Sequence, residues 1–349
     1  VRRWLSTVFG FLLLLPAFSA RPETPAKDAK GPRFKFGVLL LAYEPTEDRE
    51  TRDAGLFYGF VSASWAQKGW GARAEIRGTD GRFRPYFQGN IWLEHAYAYV
   101  STKAGDIQVG QIAPAFAGED ATFSGDLLSV NGFTRNPEYG AALEGSTGFG
   151  YNTLAWRARY IGQNDHVAWE DDGRGVESDP GANLRDGFQA SVSYLVNKGL
   201  VTFKPVLAGG TGRVVDSAGE SVLRFNDLAG SFRASVGPIA LSVTGTLRDG
   251  SEAAAMAKGT SGLPRLAYDR SVGGSASLVA EFPTVIYRYV YSAFEYRGTG
   301  YSENLQQPSV IWMPRKGVEA TIEYSWRRLE GEGFSRTSSA FRFALGLTF

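Results

Sequence analysis

The chain has 349 residues, a formal net charge of +1 at pH 7, 13% aromatic residues, 43 glycines and no cysteine. Near-neutrality without a basic tail argues against nucleic acid as a partner, and the lack of cysteine excludes a disulfide framework, a thiolate zinc cluster and a thiol nucleophile. Beyond the first twenty residues no run is long and apolar enough for a membrane-spanning helix, so the Gly- and aromatic-rich composition points to a large antiparallel β protein: barrel, sandwich or propeller.

The chain opens on VRRWLSTVFGFLLLLPAFSA, with two arginines, an apolar run from Val8 to Leu15, then a proline and small residues. This is the order of a secretory signal, and residues 1–19 are predicted to be cleaved before Ala20. Residues 20–32 are polar and Pro-bearing and read as a flexible periplasmic segment.

From residue 33 to 349 the side chains alternate with period two. Trp70, Ala72, Ala74 and Ile76 oppose Gly71, Arg73, Glu75 and Arg77; Leu154, Trp156, Ala158 and Tyr160 oppose Ala155, Arg157 and Arg159. Further on, Ile239, Leu241, Val243 and Leu247 oppose Ser242, Thr244, Thr246 and Arg248. The end of the chain, AFRFALGLTF, sets Phe341, Phe343, Leu345, Leu347 and Phe349 against Arg342, Ala344, Gly346 and Thr348. Such runs predict about sixteen strands, among them 33–43, 86–101, 199–208, 285–298, 307–315 and 336–349.

Tight connections such as QKG, NKG, GP and RKG take turns with long polar ones such as EPTEDRETRD. An even count with short turns on one side and long loops on the other is the pattern of a bacterial outer-membrane barrel, and it returns both ends of the sheet to one rim. Tyr43, Trp65, Trp70, Tyr160, Tyr287 and Trp326 sit near strand ends as in an aromatic girdle. The fold class is therefore all-β: a closed antiparallel transmembrane barrel, with a periplasmic sandwich as the alternative.

Two stretches resemble a known family. FRFALGLTF is similar to the terminal strand that outer-membrane barrels present to their assembly machinery, with Phe349 as the assembly signal. Residues 94–128 resemble the strand-turn-strand-loop of bacterial porins: Ala96-Tyr97 on one strand, Gly105 in the turn, Val109-Gly110-Gln111 closing the next strand, then PAFAGED. That last motif is similar to the start of the constriction loop of general diffusion porins and to the Pro-Phe motif of phosphate-selective porins. Gln111 stands where many porins have Arg, and Ala115 and Ala117 dilute the motif. The resemblance implies a homotrimer embedded in outer-membrane lipid and lipopolysaccharide. Outward alanines at 72, 74, 141 and 158 would let neighbouring barrels approach.

A sixteen-stranded barrel holds water, so selection by size needs a constriction. The connection 112–136 carries Phe116, Phe123, Leu127, Leu128, Val130 and Phe133, and its acids are Glu119, Asp120 and Asp126. It is expected to fold inward and supply the acidic side of the passage. The basic wall is expected from Arg73, Arg77, Arg157 and Arg159, with Arg233, Arg248, Arg288, Arg327 and Arg342. Against these nine the same parity gives Glu75, Glu281, Glu319 and Glu323, which predicts a mild anion preference. Any single arginine is as well explained by an ion pair within the wall.

The expected function is passive diffusion of small hydrophilic solutes, with no cofactor and no enzymatic activity. The alternatives are a substrate-specific channel for phosphate or an organic acid, and a barrel with a filled lumen. His95 and His166, the two histidines, have no metal-ligand spacing to each other. Alternation points Glu94 and His95 to opposite faces, and no serine motif accompanies them.

Overall fold

Period-two alternation becomes sixteen antiparallel strands. The computed structural model describes residues 31–45, 53–79, 90–112, 138–164, 183–215, 221–250, 270–298, 300–331 and 333–349. In chain order the strands are β1 (Arg33–Pro45), β2 (Asp53–Gln67), β3 (Trp70–Gly78), β4 (Ile91–Thr102) and β5 (Gly105–Ile112). There follow β6 (Glu138–Phe149), β7 (Asn152–Asn164), β8 (Asn183–Lys198), β9 (Val201–Val215), β10 (Ser221–Val236) and β11 (Ile239–Gly250). The last are β12 (Ser271–Glu281), β13 (Val285–Tyr296), β14 (Tyr301–Arg315), β15 (Val318–Gly331) and β16 (Phe334–Thr348).

Each strand pairs with its sequence neighbours, and β16 pairs back onto β1 from Gly37↔Thr348 to Pro45↔Ala340. Closure satisfies every strand edge, which a bilayer demands and a two-sheet sandwich does not provide. Phe349 extends the seam: its N–H donates to the Phe36 carbonyl at 2.8 Å and the two rings stack with centroids 5.3 Å apart.

The two faces are inside-out relative to a soluble protein. Val61, Ile76, Val109, Leu207, Leu241 and Phe343 lie exposed on the outside, while Glu75, Gln108, Asp227, Thr244, Glu303 and Glu323 are buried on the inside. In a water-soluble sandwich the apolar parity would be the hidden one. Trp65 and Trp70 meet edge-on at 4.4 Å, and Tyr160 and Tyr287 are exposed on the outer face.

Short turns gather at one end, hereafter the turn end, together with the start of β1 and the end of β16. Gly69, Gly199 and Gly317 hold φ of 85°, 64° and 83° there, in the left-handed region that a side chain would strain. The opposite, loop end carries the long connections. Two strands run further toward it than the alternation predicts: β9 continues past 208 to Val215, and β14 begins at Tyr301 rather than 307. The added segments, GGTGRVV and YSENLQ, lack apolar alternation, yet their backbones pair with β10 and β13. The hydrogen-bond ladder needs no greasy side chain, so the sheet outruns its apolar band. Residues 1–30, which include the expected signal and most of the periplasmic segment, lie outside the described residues.

Candidate functional site: the lumen wall

All four expected basic-wall residues face inward. On β3, Arg73, Glu75 and Arg77 share the inner parity and stand opposite Ser64, Ser62 and Phe60 of β2. Arg77 Nε donates to Glu75 Oε1 at 2.8 Å, and its NH1 lies 3.0 Å from Glu94 Oε1. Glu94 overturns the expectation that it faces away from His95. The β3–β4 register shifts between Glu75 and Ile76, where β4 inserts one extra residue. This β-bulge breaks the alternation, so Glu94 turns in with its neighbours. Its Oε2 accepts the Trp92 indole N–H at 3.0 Å, and the Arg77 guanidinium sits 4.7 Å above the Tyr58 ring.

On β7, Arg157 Nε lies 3.2 Å from Glu144 Oε2, and Arg159 donates to Gln189 of β8. Arg73 and Arg77 thus form one station and Arg157 and Arg159 another, four strands apart; they do not form a single ladder. The other five expected arginines also face inward, Arg288 within electrostatic reach of Glu319 and the others in close contact with carboxylates. Arg248 grips Asp227 with two bonds of 2.6 and 2.7 Å, over the Phe225 ring. Arg327 donates to Glu303, which also accepts the Tyr296 hydroxyl at 2.9 Å. Arg342 lies 3.7 Å from Glu323 and donates to Ser325 at 2.6 Å, and Arg233 lies 3.5 Å from Glu281.

The expected count of nine arginines and four acids is incomplete on both sides. Glu94, Glu144, Asp227 and Glu303 face inward too, and on the basic side Lys35, opposite Ser62, and Lys204, opposite Arg233, share the inner parity. Asp227 shares parity with Arg233, so period two alone could have found it. Glu94 carried no such signal, because a bulge is invisible to alternation. The wall's charges are mostly locked to each other, which fixes their positions and makes a local transverse field rather than a uniform potential.

Two other features shape the passage. Ser191, Ser193, Ser231, Thr244, Ser275 and Ser277 share the inner parity of β8 to β12 in adjacent register, a short-side-chain arc that leaves room for water. Opposite in character is an apolar cluster on the inner side of β1, β2, β4 and β16. It consists of Leu39, Leu41, Tyr58, Phe60, Trp92 and Ala344, with Phe57 packed against it. The cluster was not foreseen; β2 carries a register shift between Leu39 and Leu40 of its partner, and Phe57 is the extra residue.

His95 is buried opposite Glu75. Among the described residues no group of three or more His, Asp or Glu could hold a metal ion. Glu119, Asp120 and Asp126, the whole of 113–136 and His166 lie outside the described residues.

No family model and no curated protein matches the sequence. Solved structures match its fold. One is the outer membrane channel DcaP of Acinetobacter baumannii, at 12% identity and TM-score 0.59, covering 93% of this chain and 99% of that one. Another is Salmonella typhi OmpF in complex with daunomycin, at 13% identity and TM-score 0.59, with 91% and 97% covered. A third is OpdK, an outer membrane protein of Pseudomonas aeruginosa, at 10% identity and TM-score 0.54, with 92% and 100% covered.

Proposed function

Starting from a closed sixteen-stranded barrel with the fold of bacterial outer-membrane porins, we propose that this chain is an outer-membrane channel through which small hydrophilic solutes diffuse passively. The observation that carries the reading is the inversion of its faces. A barrel with charged and hydroxyl side chains inside and Leu, Val, Phe and Tyr outside is at home only where lipid surrounds it and water fills it.

The constriction is assigned to the β5–β6 connection. Its sequence carries Phe116, Phe123, Leu127, Leu128, Val130 and Phe133 as apolar residues and Glu119, Asp120 and Asp126 as the acidic side of the passage. Large apolar side chains such as Phe60 and Trp92 beside a water-filled lumen are costly to hydrate, which supports an inward-folded segment in the lumen. With most arginines held by carboxylates, their charge acts on solutes only locally, and the channel prefers anions weakly. Lipid, lipopolysaccharide, the assembly machinery and a homotrimeric state complete the proposal as partners.

Liposome swelling tests the sieve. Vesicles carrying the full chain should admit pentoses and hexoses at rates that fall with solute size. The competing reading, a channel specific for phosphate or an organic acid, would show instead as saturable block of the current by one such anion.

A further inference from the structure

The turn end of the barrel carries its basic residues on one side. In ring order the β14–β15 turn, the β1–β16 seam, the β2–β3 turn and the β4–β5 turn are neighbours, and they bear Arg315 and Lys316, Arg33 and Lys35, Lys68, and Lys103. All six are exposed, and among the described residues none of them has an ion-pair partner. Asp106 and Glu319, the acids closest in sequence to Lys103 and Lys316, share the inner parity of their strands, opposite Glu144 and Gly346. The other half of the rim, from the β6–β7 turn to the β12–β13 turn, is built from GY, KGL, GP and FPT, and Lys198 is its one basic turn residue.

The fold does not ask for these lysines. Gly69 and Gly317 supply the left-handed φ of 85° and 83° that close their turns. The Thr102 hydroxyl shapes the third turn, accepting from the Ala104 N–H at 3.2 Å and donating to the Gly105 carbonyl at 2.8 Å. Lys68, Lys316 and Lys103 sit at the tips, where any polar residue satisfies the turn. The β2–β3 and β4–β5 tips are two strands apart, about 10 Å, close to one Debye length in physiological salt, so the fields of neighbouring stations add. The whole arc spans six strand spacings, about 30 Å, the length of an extended segment of about nine residues.

We infer that this arc docks an acidic polypeptide segment of a partner in the compartment at the turn end, which for an outer-membrane barrel is the periplasm. Sidedness separates a polypeptide from lipid: headgroups surround a barrel on every side, whereas these cations occupy half the rim. Like charges strung along one arc raise the encounter rate of a polyanion and fix its orientation.

The test is fluorescence anisotropy of a labelled poly-L-glutamate peptide titrated with the full chain in phosphatidylcholine nanodiscs. It reads binding without current, so a barrel that never conducts overturns the channel reading and leaves this one standing. The wild type should bind the peptide, and raising sodium chloride from about 0.05 to about 0.5 M should release it. K68Q/K103Q/K316Q should weaken binding about tenfold, while K198Q, across the rim, should leave it unchanged. No binding by the wild type, unchanged binding by the triple variant, or equal weakening in K198Q overturns the inference. In phosphatidylglycerol nanodiscs the wild type should still bind more tightly than the triple variant. A difference present in phosphatidylcholine and absent in phosphatidylglycerol would assign the arc to lipid headgroups and overturn the inference as well.

Discussion

Glu94 shows how one residue sets the local field of the wall. Alternation alone points it outward, and the extra residue in β4 brings its carboxylate to 3.0 Å from Arg77, which Glu75 already holds. Arg77 therefore stands between two acids. In E94Q one of these charges is gone while Glu75 keeps Arg77 in place, so the reversal potential in a potassium chloride gradient should move toward chloride. The Asp227–Arg248 pair acts differently. Its side chains are only 2% and 1% exposed, so it is structural rather than a contact for passing ions. Removing one partner leaves a buried charge uncompensated, and D227A is expected to cost about 3–5 kcal/mol in urea unfolding of vesicle-folded barrel. The apolar double replacement D227L/R248M should recover most of that loss.

At the level of strands, alternation made the inner and outer faces legible almost throughout, because in this barrel the apolar parity must meet lipid on every strand. The nine inward arginines and the closing role of AFRFALGLTF follow from parity alone. Legibility ended where the backbone departs from period two. The extra residues at Phe57 and Glu94 each re-aim a side chain and add to the inner wall. It also ended where pairing continues without greasy residues, as in the loop-end halves of β9 and β14. The β1–β16 seam yields its own prediction. The stacked Phe36–Phe349 rings are worth about 0.5–1.5 kcal/mol beyond their buried area. F349A should therefore lower the temperature at which the folded band converts to the unfolded one on a heat-modifiability gel, and should reduce the folded yield in the outer membrane if Phe349 is the assembly signal.

For the whole molecule, the interior is lined unevenly. Paired charges occupy β3–β4, β6–β7 and β14 to β16, hydroxyl groups line β8 to β12 around the pairs Asp227–Arg248 and Arg233–Glu281, and an apolar cluster covers part of β1, β2 and β4. Water and hydrated solutes are best accommodated along the hydroxyl arc, where side chains are short and polar. The charged stations then act on solutes from the side. The measurement that tests this most directly is current through a planar lipid bilayer carrying the purified full chain. It should rise in discrete steps of uniform size, with conductance proportional to salt concentration and a reversal potential close to zero on the anion-selective side. Folded barrel that inserts and gives no steps would mean a filled lumen and would contradict the channel function.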